Sequence, residues 1–100
     1  MFKAWPMESV ETEFRRLKIL QYLATATGYE AAASILRMQC CRIGVPTTLD
    51  QVVAAMGWLA EQDLTTSRTY NNEPISRITA KGREVALGSS SYPGVMRPDP

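Results

Sequence analysis

Apolar residues recur along this chain first with a helical period and then with a strand-like one. From Ser9, the positions Val10, Phe14, Leu17, Leu20 and Leu23, with Ile19 and Ala24 beside them, form one broad stripe, the mark of an amphipathic helix. Ser9 can cap that helix and Glu11 and Glu13 suit its positive end. It is expected to stop between Thr25 and Gly28. A second helix is predicted from about Tyr29 to Ile43, on the strength of Ala31 to Ala33. Ala32, Ile35, Leu36, Cys40 and Ile43 would share its inner face, with Arg37, Gln39 and Arg42 on the wet side. Gly44-Val45-Pro46 ends it, because the residue before proline resists helical geometry. In the third helix Thr48 and Gln51 have the spacing of a capping box. Leu49, Val52, Val53, Met56, Leu59 and Ala60 cluster on one side of it, and Gln51, Ala54, Trp58, Glu61 and Gln62 on the other.

The period then changes. Leu64 to Tyr70 is rich in threonine and reads as a strand. Asn71-Asn72 is a turn, since asparagine tolerates positive φ. Ile75 to Ile78 returns as a second strand, and Pro74 argues for an edge position. Thr79 caps a short helix ending at Gly88. Residues 1–8 read as an N-terminal arm in which Phe2 and Trp5 are candidate contacts, and residues 89–100 as an extended C-terminal tail rich in proline. Residues 9–88 then form one domain. Three helices, a two-stranded β wing and a short C-terminal helix make an α+β, mostly helical, winged helix-turn-helix architecture.

Two motifs carry a resemblance. Trp58-Leu59-Ala60-Glu61-Gln62-Asp63-Leu64, followed by Ile78-Thr79-Ala80-Lys81-Gly82-Arg83-Glu84-Val85-Ala86, resembles the helix-to-wing and post-wing signatures of bacterial and phage winged-helix proteins. Asp63 stands where those signatures usually carry glycine. With its Pro93-Gly94-Val95-Met96-Arg97-Pro98 tail, the whole chain is similar to a small winged-helix protein of Mu-like phages and prophages, a group often labelled ArsR-like on fold alone. The resemblance implies a phage origin and DNA binding. It does not carry over metal sensing, because Cys40-Cys41 lies in the second helix and does not match a metal-sensor thiolate motif.

Composition narrows the function classes. The apolar share of 45% and charged share of 21% are ordinary for a globular protein, and the net charge of +1 supplies no bulk attraction to nucleic acid or anionic membrane. The two cysteines are adjacent, a poor geometry for a disulfide, and are expected to be reduced thiols, one buried and one less so. With no histidine in the chain, zinc ligand sets are absent, and no metal or cofactor is expected. No secretory signal or membrane-length apolar run is visible, so a cytoplasmic protein that avoids membranes is expected. Nothing in the chain has the spacing of a catalytic constellation, and the protein is expected not to be an enzyme.

DNA binding is the function expected first, and a protein-interaction adaptor without DNA binding is the alternative. In the DNA-binding reading, implied by the fold, Thr47, Thr48, Gln51, Ala54 and Ala55 face a duplex groove, and Arg68, Asn71, Asn72 and Arg77 on the wing contact backbone. From Arg68 to Arg83 four cations face only Glu73, a local balance of +3. Double-stranded DNA, in transcriptional regulation or phage DNA handling, would be the target of a homodimer. The capping reading of Thr48 and Gln51 competes with groove contact. In the adaptor reading a phage protein is the partner, because no Lys or Arg lies between Ile43 and Ser67. Trp58, Phe14 and Leu17 would then be interface residues, with the alternative that Trp58 packs inside the domain.

Overall fold

The computed structural model describes residues 7–98, with side chains from Ser9 onward. Phe2 and Trp5 therefore lie outside the described residues. Helix α1 spans Met7–Thr25, a 3-10 turn Thr27–Tyr29, strand β1 Glu30–Ala32 and helix α2 Ala33–Arg42. Helix α3 follows at Leu49–Glu61, then β2 at Thr65–Tyr70, β3 at Glu73–Ile78 and α4 at Ala80–Leu87. The class is α+β: α-helices around a three-stranded antiparallel sheet of order β1-β3-β2.

Local chemistry explains most boundaries. Thr48 Oγ1 accepts from the Gln51 amide at 3.1 Å while Gln51 Oε1 accepts from the Thr48 amide at 2.9 Å, so both halves of the α3 capping box form. Thr79 caps α4 through the Gly82 amide, and Gly88 closes it in the left-handed conformation. Asn71 and Asn72 have φ of 52° and 62°, the two positive values that a tight hairpin turn requires. Asp63 replaces the customary glycine by adopting φ of 62° itself, a conformation aspartate tolerates.

Three expectations are corrected. Helix α1 already includes Met7, so it does not begin at a Ser9 cap. The second helix starts at Ala33 and not Tyr29, because Gly28 and Tyr29 both take positive φ and Glu30 to Ala32 join the sheet opposite Arg77, Ser76 and Ile75. Cross-strand pairing outweighs the helix propensity of the alanines, a weak local preference of under about 1 kcal/mol per residue. That extra strand makes β3 central. Pro74 is accommodated because it pairs only with Thr69 of β2 and lies past the end of β1, where its missing donor leaves no ladder bond unmade.

The core is built from Leu17, Ile19, Leu20 and Leu23 of α1, Leu36 and Cys40 of α2, Val52, Met56 and Leu59 of α3, and Leu64, Ile78 and Val85 around them. The helix faces are rotated from the simple stripes. Ala55 turns inward, while Leu49 is 50% and Val53 39% exposed. Ile35, Ile43 and Val10 are likewise exposed. The tail after α4 has no helix or strand, but it is not extended away from the domain. Val95 is buried, Tyr92 and Met96 pack against the core, and the Met96 amide donates to the Glu13 carbonyl.

On the inner sheet face the hydroxyls of Thr65 and Ser76 are buried with no hydrogen-bond partner among the described residues. An unpaired buried hydroxyl costs on the order of 1–3 kcal/mol. Ser76→Ala is therefore expected to leave stability unchanged or raise it by about 1 kcal/mol, read from the midpoint of urea denaturation. A clear loss would instead mean that the hydroxyl has a partner in solution.

Candidate functional site

The groove-facing set expected on α3 does not come together. Thr47 is 5% exposed; its hydroxyl donates to the Val45 carbonyl at 2.8 Å and accepts from Arg15 Nε at 3.0 Å. Ala55 is also 5% exposed and belongs to the core. Thr48 and Gln51 are exposed but occupied by each other in the cap. What α3 presents to solvent is Leu49, Asp50, Val53, Ala54, Gly57 and Glu61, a smooth apolar strip with a carboxylate toward either end. A Cβ added at Gly57 would meet nothing within 4 Å, so the middle of that strip is open space.

The cations gather elsewhere. On the outer face of the sheet Arg68 Nη2 lies 3.0 Å from Glu30 Oε2, an ion pair spanning from edge strand β2 to edge strand β1. Arg77 Nη1 donates to the Gly28 carbonyl at 3.0 Å, and the Arg83 guanidinium sits 4.8 Å from the Tyr29 ring centroid. Lys81 Nζ donates to the Gln62 carbonyl at 3.1 Å. Asn71 and Asn72 are exposed at the hairpin tip. Glu30, drawn in by the unexpected strand β1, offsets part of the positive balance read from the wing alone.

The expected interface residues divide. Leu17 is 2% exposed and is core. Phe14 is half-buried on α1. Trp58 is not an outward anchor. The Arg16 guanidinium stacks 3.9 Å from its ring centroid, Tyr92 meets it edge-on at 6.2 Å, and Gly94 lies so close that a Cβ there would fall 2.6 Å from the ring. Arg16 Nη1 also donates to the Gly94 carbonyl at 2.9 Å. Burial lowers the Arg16 pKa, and Glu13 nearby opposes that shift.

Arg15 and Arg16 were not legible as structural residues. Neither was a candidate site residue in the sequence, yet Arg15 is buried against Thr47 and the Pro46 carbonyl. On a helical wheel they fall on the side of α1 that carries Ile19, Leu20 and Leu23, away from Val10 and Phe14, and that was the one available signal. Cys40 is buried and Cys41 exposed, both free thiols. Burial pushes the Cys40 thiol up, away from the thiolate form that reacts. Among the described residues no helix is long and apolar enough to cross a membrane.

No family model matches the chain, and no solved structure matches it. It is 35% identical over 94 residues to the uncharacterized protein gp26 of Escherichia phage Mu, covering 94% of this chain and 97% of that protein. Identity at that level over nearly the full length of both chains means that this chain belongs to the family of the phage Mu protein gp26.

Proposed function

We propose that this phage protein is a winged-helix interaction module that uses its third helix to bind another protein, without catalysis. The helix-helix-helix-hairpin-helix order is compatible with the winged-helix reading. The observation that carries the functional proposal is the solvent face of α3. Leu49, Val53, Ala54 and Gly57 form an apolar strip; the charged residues of α3 itself on that face are Asp50 and Glu61, and a nearby cation, Arg37 of α2, is tied to the Thr47 carbonyl at 3.1 Å. Phosphate contacts supply most of the affinity of DNA-binding domains, and α3 carries no cation of its own to make them. An apolar strip bordered by charge is instead the anatomy of a protein interface.

The test is capture of phage proteins from an infected lysate with the wild-type chain and with Val53→Asp. A phage protein retained by the wild type and lost by the variant, with both chains equally folded, is the expected result. Equal capture by both would remove α3 from the proposal.

A second reading rests on Arg68, Arg77 and Arg83, which put three guanidinium groups on the sheet and α4. In that reading the wing holds duplex DNA by its backbone, in regulation or phage DNA handling. Random duplex DNA at about 50 mM and 200 mM salt separates the two. Binding that falls steeply with salt and flattens in Arg77→Ala would favour the wing; no binding at the lower salt is the result expected here.

A further inference from the structure

The exposed face of α1 has no partner element among the described residues, and its shape and charge are self-complementary. Two depressions run along it. One, of about 350 Å³, lies between α1 and α2 and is closed by Ile43. The other, of about 270 Å³, lies between α1 and the tail and is closed by Met96. Both are walled by Phe14, Lys18 and Gln21. These three side chains therefore form a ridge with a groove on each side. A ridge flanked by grooves is the relief by which one helix packs on another.

The spacing along that face is regular. Glu11, Phe14, Lys18, Gln21 and Thr25 fall at steps of three and four, the repeat that keeps one seam facing a neighbouring helix. Charge is distributed unevenly along it. Glu11 lies toward the N-terminal end and Lys18 one ridge position beyond Phe14. In a parallel pair each would face its own kind. In an antiparallel pair with the two-fold axis beside Phe14, Glu11 meets Lys18 of the partner subunit twice, and the two Phe14 rings lie side by side at the axis. Such an isologous contact satisfies both grooves with one operation.

We infer that the α1 face is the docking surface for a second copy of this chain, packed antiparallel through Phe14 and two reciprocal Glu11–Lys18 pairs. This inference is independent of what α3 binds. Lys18 is already directed along the ridge, with Nζ 3.0 Å from Gln21 Oε1 and 5.0 Å from the Phe14 ring centroid, so it needs little reordering to reach a carboxylate across the axis.

A charge swap tests it. Sedimentation equilibrium of the wild-type chain should show a monomer–dimer equilibrium. Lys18→Glu places like charges opposite each other twice and should weaken the dimer by about tenfold or more. Glu11→Lys should do the same. The double variant Glu11→Lys/Lys18→Glu restores both pairs and should return the dimer to near wild-type strength. Glu11 is exposed and Lys18 half-buried at the edge of both depressions, and helical circular dichroism confirms folding of each variant. A wild-type chain that stays monomeric at millimolar concentration overturns the inference. So does a dimer indifferent to Lys18→Glu, or a double variant no tighter than the singles.

Discussion

Gly82→Ala is expected to be the most damaging small substitution in the chain. A Cβ at that position would stand 2.1 Å from the Leu64 carbonyl oxygen and 2.8 Å from Ile78 Cγ1. The first is backbone and cannot rotate away. Leu64 is buried at the exit from α3 and its carbonyl already accepts from the Thr79 amide at 3.1 Å and from the Thr79 hydroxyl at 3.0 Å. One methyl group would therefore drive the start of α4 off the α3–wing junction and strain the Thr79 cap together with it. Overpacking in a tight core costs about 1–3 kcal/mol and more where nothing yields, and a lost cap adds about 1 kcal/mol. A loss of about 3 kcal/mol or more is expected, a large fraction of the ~5–15 kcal/mol that holds an ordinary domain together. Urea denaturation measures it. A variant within about 1 kcal/mol of wild type would mean that α4 shifts freely, and that the junction is not the fixed point described above.

Trp58→Ala is the second large effect, and it bears on function. Trp58 holds three things at once: the Arg16 guanidinium on one face, Tyr92 at its edge, and the Gly94 backbone against the ring. Its loss leaves Arg16 partly buried without its ring, with Nε still lacking a hydrogen-bond partner among the described residues. Burial of a large aromatic is worth about 3–5 kcal/mol in a full core, and Trp58 is half-buried, so a loss of about 2–3 kcal/mol is expected. The tail should come away with it. Limited proteolysis should cut residues 89–98 in the variant far faster than in the wild type, since Val95 and the Met96–Glu13 bond depend on the same clasp. A variant as stable as wild type that merely loses a partner would restore Trp58 as an interface anchor.

Much of the fold was legible because its signals are local. The capping box of Thr48 and Gln51, the Thr79 cap, the Gly88 terminus and the Asn71-Asn72 turn each depend on two to four neighbouring residues. Their chemistry is complete before the chain folds. The helical stripe of α1 was legible for the same reason, at Leu17, Ile19, Leu20 and Leu23. The candidate site was much less so. Whether Thr47 faces a groove or the core depends on Arg15, which is 32 residues away. Whether Trp58 is an anchor or a clasp depends on Gly94, a residue of an irregular tail.

The sequence by itself determined the four main helices and the hairpin in their order, the ends set by local caps and turns, and the lack of cations on the third helix. Periodicity, caps and charge belong to the chain and survive any packing. Tertiary structure alone decided which side of each helix meets water. It turned Ala55 inward and Val53 outward, and recruited Glu30 to Ala32 into a third strand opposite Ile75 to Arg77. It also folded the tail over Trp58. A helix of this size has room for more than one apolar stripe, and only the neighbours that arrive from distant sequence select among them. Their hydrogen bonds, such as Arg16 to Gly94 across 78 positions, leave no periodic trace in the residues that make them.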